Sequence, residues 1–308
     1  DVCPYDYLCE KACSRSGIDK PIQIGKLQSF LVEQEKEEKM NFMKPCEPNG
    51  KKVACIGAGP SSLSCARELA LQGYEVTVYE ANEKAGGMLT YGILPSRLPQ
   101  EVVDFDIETI KQAGVKIVCG HKVEREELET LRKEYDAVYV GVGLWKSKEV
   151  DVPGTKLAGV ENALDYLKAA RSGDKDFKVG ENVIVIGGGD VAMDCVSTAK
   201  QMGANAVIVY RRTIEEAPAN MEEVQSVQKM GIPIFTQFAP EEILGENGTV
   251  TGLKAAGRDG YSSLILKADQ IVFAIGQEQT DAFAGLRQEQ GLFMGGDMLY
   301  GKGRTVVE

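Results

Sequence analysis

The chain has 308 residues, a formal net charge of −11, 43% hydrophobic residues and 26% charged residues. Such a length and composition suit an ordinary soluble globular protein of roughly two domains. The acidic balance argues against a nucleic-acid surface, and no apolar run approaches the ~20 residues that cross a bilayer. At the amino terminus, Cys3, Cys9 and Cys13 are crowded together, and Leu27, Phe30 and Leu31 follow at helical spacing. Residues 45–50 read as a linker. Beyond it, Val53-Ala54-Cys55-Ile56 is a short apolar strand. A helix over 60–71 is stopped by Gly73, and a β-branched strand covers 75–79. A helix over 101–113, a strand over 115–119 and a strand over 136–142 closed by Gly143 come next. The pattern then repeats: a strand over 183–186, a turn over 187–189, a helix over 190–202 stopped by Gly203, and a strand over 206–210. A further strand over 271–275 ends at Gly276. Strands alternating with helices predict an α/β fold with mostly parallel sheets, repeated as whole domains.

Each repeat opens with a glycine turn, Gly57-Ala58-Gly59-Pro60-Ser61-Ser62 and Gly187-Gly188-Gly189-Asp190-Val191-Ala192. The first glycine permits the tight turn, and the second lets backbone approach a pyrophosphate. The helix start then offers N–H groups and the positive dipole end to that anion. Ser62 and Ala192 stand where a third glycine is usual, so each match is slightly degraded. A lone match would be weak; two, each between a predicted strand and a predicted helix, are strong. The end of the next strand distinguishes them. Glu80, 23 positions beyond Gly57, suits ribose hydroxyls and would repel a 2′-phosphate. Arg211 and Arg212, the first of them 24 positions beyond Gly187, suit a 2′-phosphate through charge-assisted contacts. The first site is therefore expected to hold FAD or NAD and the second NADPH, with hydride passing from nicotinamide to flavin. The cofactors carry that chemistry, so no catalytic side chain is expected.

The lone histidine, His121, excludes a multi-histidine metal site and is expected at the surface. Eight cysteines show no secreted disulfide pattern, which points to a reducing, cytoplasmic compartment. Cys55, Cys65, Cys119 and Cys195 lie in apolar segments and are expected to behave as small hydrophobes. No Cys-x-x-Cys occurs, so disulfide reduction is not expected. The chain lacks an initiator methionine and a signal peptide, and is expected to begin downstream of its natural start.

Gly86-Gly87-Met88-Leu89, Tyr91-Gly92-Ile93, Arg97-Leu98-Pro99, Tyr210-Arg211-Arg212, Ala274-Ile275-Gly276-Gln277 and Gly295-Gly296-Asp297 carry a family resemblance. The sequence resembles the small subunit of glutamate synthase and the amino-terminal half of dihydropyrimidine dehydrogenase. It is more similar to the latter and its bacterial electron-input subunit. The resemblance implies two Rossmann-like domains, an NADPH domain (151–276) inserted in a split FAD domain (47–150 and 277–308), behind a small helical iron–sulfur domain (1–46). It implies FAD contacts at Gly57, Gly59, Glu80, Gly87, Leu89 and Arg97, and at Gly143, Asp297 and Thr305. Pro60, Ser61, Val123 and Gly296 are further candidates there. NADPH contacts are implied at Gly187, Gly189, Asp190, Val191, Arg211 and Arg212, with Gly276 a further dinucleotide candidate. Many relatives carry an arginine near Asn220, in a segment resembling Pro218-Ala219-Asn220-Met221-Glu222-Glu223.

The resemblance also implies [4Fe–4S] clusters, with Cys3, Cys9, Cys13 and Gln28 among the ligands and a first ligand group upstream of Asp1. Relatives carry an extra strand pair at the Leu286–Arg287 junction, where residues are expected to be missing. Electrons are expected to leave singly for a catalytic partner subunit carrying FMN or another acceptor. The alternatives are a glutamate-synthase large subunit as partner, or a regulatory flavoprotein without electron transfer.

Overall fold

The computed structural model describes residues 2–5, 8–40, 42–148, 150–172 and 177–303. The chain divides into two compact units. The first comprises Asp1–Thr90, Pro95–Leu144 and Gln279–Glu308, and the second Tyr91–Leu94 and Trp145–Glu278. Among the described residues no helix is long and apolar enough to cross a membrane.

The first unit begins with α1 (Ile24–Glu37), which buries none of its residues. There follow β1 (Lys52–Ile56), α2 (Pro60–Leu71), β2 (Glu75–Tyr79) and the short α3 (Met88–Tyr91). Next come α4 (Gln100–Gln112), β3 (Lys116–Val118), α5 (Arg125–Glu134) and β4 (Ala137–Val140). Proline at the first position of α2 fits, because that N–H would find no helical partner. β1 pairs in parallel with β2 on one side and β4 on the other. The strand order therefore departs from β1 toward both sides, which makes its carboxyl end a switch point, where open α/β sheets bind ligands.

The second unit carries β5 (Lys146–Ser147), β6 (Val160–Asn162), α6 (Ala163–Ser172), β7 (Asn182–Ile186), α7 (Asp190–Gln201) and β8 (Asn205–Tyr210). α8 (Met221–Lys229), β9 (Ile234–Thr236), β10 (Phe238–Glu246), β11 (Thr249–Gly257), β12 (Ser263–Lys267), β13 (Gln270–Phe273) and β14 (Gln277–Glu278) complete it. Its parallel sheet runs β6-β13-β7-β8-β9, so β7 sits at the switch point as β1 does. The period-2 alternation of β7 divides the strand between two cores. Val183 and Val185 pack with the α6, α7 and α8 side chains Leu167, Met193, Val196 and Val227. Ile184 and Ile186 pack with Ile243, Val250 and Leu253 of the antiparallel sheet β10-β11-β12. A strand buried on both faces must be apolar throughout, which is why this segment reads as an unbroken hydrophobic run.

The chain then returns to the first unit. β15 (Leu292–Met294) pairs in parallel with β4, giving the order β15-β4-β1-β2-β3, and α9 (Asp297–Tyr300) follows. Leu292, Met294 and Met298 fill a core with Ala54, Ile56, Leu128 and Val138. The mostly parallel α/β architecture matches the expectation from sequence. The antiparallel sheet of the second unit was not foreseen, although Asn247-Gly248 is a hairpin turn signal.

Candidate dinucleotide-binding sites

In the first unit, β1 ends at Ile56 and the turn begins with Gly57, whose N–H donates to the Tyr79 carbonyl at 2.8 Å. Gly57 has φ +88°, and a methyl group there would lie 2.8 Å from the Gly141 carbonyl oxygen. Only glycine permits both. The start of α2 has no side-chain cap, which leaves it suited to an anion. Glu80 is only 5% exposed. Its Oε2 accepts the Ala58 N–H at 2.8 Å, and its Oε1 accepts the Asn82 N–H and Nδ2, each at 2.8 Å. The carboxylate thus ties the end of β2 to the glycine turn.

A second glycine pair closes on that turn. The Gly86 N–H donates to the Ala58 carbonyl at 2.7 Å. At Gly87, with φ +55°, a methyl group would lie 2.8 Å from the Gly59 Cα. From the far end of the chain, Gly295 and Gly296 pass beside Tyr139 and Ser61, whose hydroxyls bond at 2.6 Å. The fold therefore gathers Gly57, Gly59, Pro60, Ser61, Gly87 and Gly296 around the start of α2, with Asp297 opening α9 next to Gly296. Bare backbone at such close quarters is a cradle that side chains would fill, and it fits the pyrophosphate of FAD. Leu89 and Arg97 are half-buried, and Gly143 follows β4. Val123 is 4% exposed and packs in the core with Leu128 and Leu131. Thr305 lies outside the described residues. Tyr139 was not singled out from sequence, because on β4 it reads as one more strand residue.

The second unit repeats the turn. The Gly187 N–H donates to the Val209 carbonyl at 3.1 Å, and a methyl group on Gly187 would strike the Ala274 carbonyl oxygen. Gly188 lies against the Tyr210 ring, and Gly189 precedes an α7 that again lacks a side-chain cap. This arrangement fits a second dinucleotide. Val191 packs on the core, and Gly276 is exposed with its carbonyl accepting the Lys148 N–H at 3.1 Å. Asp190 Oδ1 accepts the Asn220 N–H at 2.8 Å, while the Asn220 side chain caps α8 by accepting the Glu222 N–H at 3.0 Å. Asn220 therefore has a structural task of its own.

Arg211 and Arg212 follow β8 and are exposed. They line a cavity of about 380 Å³ with Glu216, Gln237, Ala239, Ala256, Gly257 and Arg258. Glu216 completes a capping box, accepting the Thr213 N–H at 3.0 Å, and its Oε2 also accepts Arg258 Nη1 at 2.9 Å. The Thr213 N–H first, and Arg258 after it, hold the Glu216 carboxyl below its ordinary range. Glu216, Gln237 and Arg258 join the site without a local sequence signal for it, and the last two reach the cavity only through the antiparallel sheet.

Cys3, Cys9 and Cys13 are half-buried and Gln28 is exposed on α1. Cys9 Sγ donates to the Tyr5 carbonyl at 4.0 Å, and the Tyr5 ring lies against Gly25. Among the described residues no three His, Cys, Asp or Glu side chains are grouped to hold a metal ion, so the ligand set is not assembled by these residues alone. Cys55 and Cys195 are buried and Cys65 is half-buried, but Cys119 is exposed, since it follows an edge strand of three residues. Burial, and Asp194 beside it, push the Cys195 thiol up, which keeps it protonated and inert. His121 is partly exposed, with its Nε2 2.7 Å from Glu127 Oε1.

Residues 51–300 match the family model for pyridine nucleotide-disulphide oxidoreductases, and residues 1–40 match dihydropyrimidine dehydrogenase domain II, 4Fe-4S cluster. The chain is 39% identical over 292 residues to the NAD-dependent dihydropyrimidine dehydrogenase subunit PreT of Escherichia coli K12, covering 94% of this chain and 69% of that protein. It is 33% identical to the NADPH glutamate synthase small chain of Azospirillum brasilense, over 91% of this chain and 64% of the other. The fold superposes on the oxidoreductase FprA of Mycobacterium tuberculosis with a TM-score of 0.72 at 16% identity, covering 86% and 81% of the two chains.

Proposed function

We propose, for a chain that belongs to the pyridine nucleotide-disulphide oxidoreductase family, that NADPH is the reductant and that a separate catalytic subunit receives the electrons. The chain is an NAD(P)H-dependent flavin oxidoreductase that binds FAD and NAD(P)H, and it carries a 4Fe-4S domain at its amino terminus. One observation carries the assignment of the two sites. Two glycine turns, each between a parallel strand and an uncapped helix start, are followed by opposite charges, the buried Glu80 in one unit and the exposed Arg211 and Arg212 in the other.

In this reading the first unit holds FAD. Gly57, Gly59, Ser61, Gly87 and Gly296 bring bare backbone and one hydroxyl to its pyrophosphate, and Glu80 faces its ribose. Leu89, Arg97, Gly143 and Asp297 line the remainder. In the second unit Gly187, Gly189, Asp190 and Val191 receive the NADPH pyrophosphate at the start of α7, and Arg211 and Arg212 receive its 2′-phosphate. FAD held there would supply hydride acceptance from the reduced nicotinamide and one-electron release, chemistry that belongs to the cofactor. The chain's own task is to bind and orient, so no acid or base side chain is assigned. Cys3, Cys9, Cys13 and Gln28 are assigned to cluster ligation together with residues outside the described set.

PreT is named as a dehydrogenase subunit and the Azospirillum relative as a small chain, which supports a partner that completes the reaction. By resemblance to dihydropyrimidine dehydrogenase, that partner carries its acceptor on FMN. Recovery of a glutamine-using large subunit on affinity purification would overturn that assignment. PreT is named NAD-dependent and the Azospirillum protein NADPH-dependent, so the guanidinium pair becomes the deciding feature. Steady-state reduction of a dye acceptor by the full chain tests it. Replacing both Arg211 and Arg212 by Ala raises the KM for NADPH by about 100-fold or more, since two charge-assisted bonds of at least about 1.5 kcal/mol each are lost and every 1.4 kcal/mol is about tenfold. The KM for NADH stays within about twofold. Equal loss with both coenzymes, or no loss with NADPH, contradicts the assignment.

A further inference from the structure

We propose that Arg258, which follows β11, is a third 2′-phosphate ligand and a determinant of coenzyme choice, held in place by Glu216. The proposal rests on the NADPH reading of the second unit and extends it to a sheet outside the dinucleotide fold proper.

Three observations support it. Arg258 lines the same cavity as Arg211 and Arg212, although it lies 46 positions beyond Arg212 in the sequence. Backbone bonds fix that proximity: the Gln237 N–H donates to the Arg212 carbonyl at 2.9 Å, and the Arg258 N–H donates to the Gln237 carbonyl at 2.8 Å. Gln237 holds φ +64°, a left-handed conformation that a non-glycine residue adopts at a cost, and it links the arginine loop to the sheet. Second, Glu216 takes only Nη1 of Arg258, and the rest of the five-donor fork has no partner among the described residues. Glu216 is itself immobilised by the capping box, so it serves as a fixed anchor. Third, the charges match. Three guanidiniums and one carboxylate leave the cavity wall two positive charges, in a chain whose net charge is −11. A 2′-phosphate carries close to two negative charges near neutral pH. Neither Arg211 nor Arg212 has an ion-pair partner among the described residues, and the only carboxylate lining the cavity, Glu216, is engaged with Arg258 and not with them.

Calorimetric titration of the full chain with adenosine 2′,5′-bisphosphate, and with AMP as the control, reads the site without turnover. Arg258→Gln weakens the bisphosphate about tenfold and leaves AMP within about twofold, while Arg258→Lys recovers part of the loss. The logarithmic salt dependence of bisphosphate binding also becomes shallower in Arg258→Gln, because one fewer charge meets the anion. If Arg258→Gln binds the bisphosphate like the parent while the Arg211, Arg212 double variant loses it, Arg258 serves the sheet alone and the proposal fails. If neither variant changes bisphosphate binding, the NADPH reading fails with it.

Discussion

Glu80 shows how one side chain can serve fold and ligand together. Its two oxygens accept three hydrogen bonds from Ala58 and Asn82 in a nearly buried setting, so the glycine turn is braced before any ribose arrives. Glu80→Ala leaves those donors without a partner and lowers unfolding stability by about 1–3 kcal/mol in urea titration. Glu80→Gln does not rescue it, because one end of the amide presents N–H groups to an N–H donor. Both variants purify with less flavin, read as the ratio of absorbance at about 450 nm to that of the protein. Glu216 makes a different prediction. Its carboxyl is held below the ordinary range, first by the Thr213 N–H and then by Arg258, so the folded state binds this proton more weakly than the unfolded chain. The stabilisation is complete above the unfolded carboxyl value near 4.3 and is lost as pH falls through the lower folded value. The gap in melting temperature between parent and Glu216→Gln is therefore flat from about pH 8 to 5 and closes below about pH 4. It is small throughout, since both partners are exposed.

At the scale of elements, the strand–turn–helix units were legible residue by residue. The expected helix over 60–71 and strand over 75–79 coincide with α2 and β2, because Pro60 starts the helix, Gly73 follows its end and β-branched residues fill the strand. The antiparallel sheet was not legible in the same way. β12, with the pattern Ser-Leu-Ile-Leu-Lys, and β10, with Pro240 inside it, lack the clean alternation that marks a strand. Two substitutions test the elements. Gly187→Ala places a methyl group on the Ala274 carbonyl at an unfavourable φ, so the turn between β7 and α7 must shift. It abolishes NADP⁺ binding and costs at least about 1–3 kcal/mol. Ile184→Ala, at 1% exposure between β7 and the antiparallel sheet, costs about 2–5 kcal/mol in denaturant unfolding. It leaves flavin content unchanged, because its core belongs to the second unit.

At the scale of the molecule, each unit has its own core and its own glycine turn. Ligand protection should therefore be local. Hydrogen exchange with NADP⁺ at 100 times its Kd slows amides around 187–191, 209–216 and the β10–β11 sheet, with up to about 2.7 kcal/mol of added protection. Amides around 57–63 and 80–90 are unaffected by NADP⁺ at equal flavin occupancy. Protection spread evenly over both units would contradict the separate-site assignment.

Sequence alone determined the α/β class, the two turns and the opposite charges that follow them. Those features are local: they depend on glycine conformations, β-branched runs and a carboxylate or guanidinium a fixed number of residues past a turn. Tertiary structure decided what depends on distant segments meeting. It brought Gly87 onto Gly59, passed Gly296 beside Ser61, left Cys119 exposed past an edge strand and carried Arg258 to the arginine pair through Gln237. No periodicity encodes such meetings, because they follow from how sheets stack and chains return.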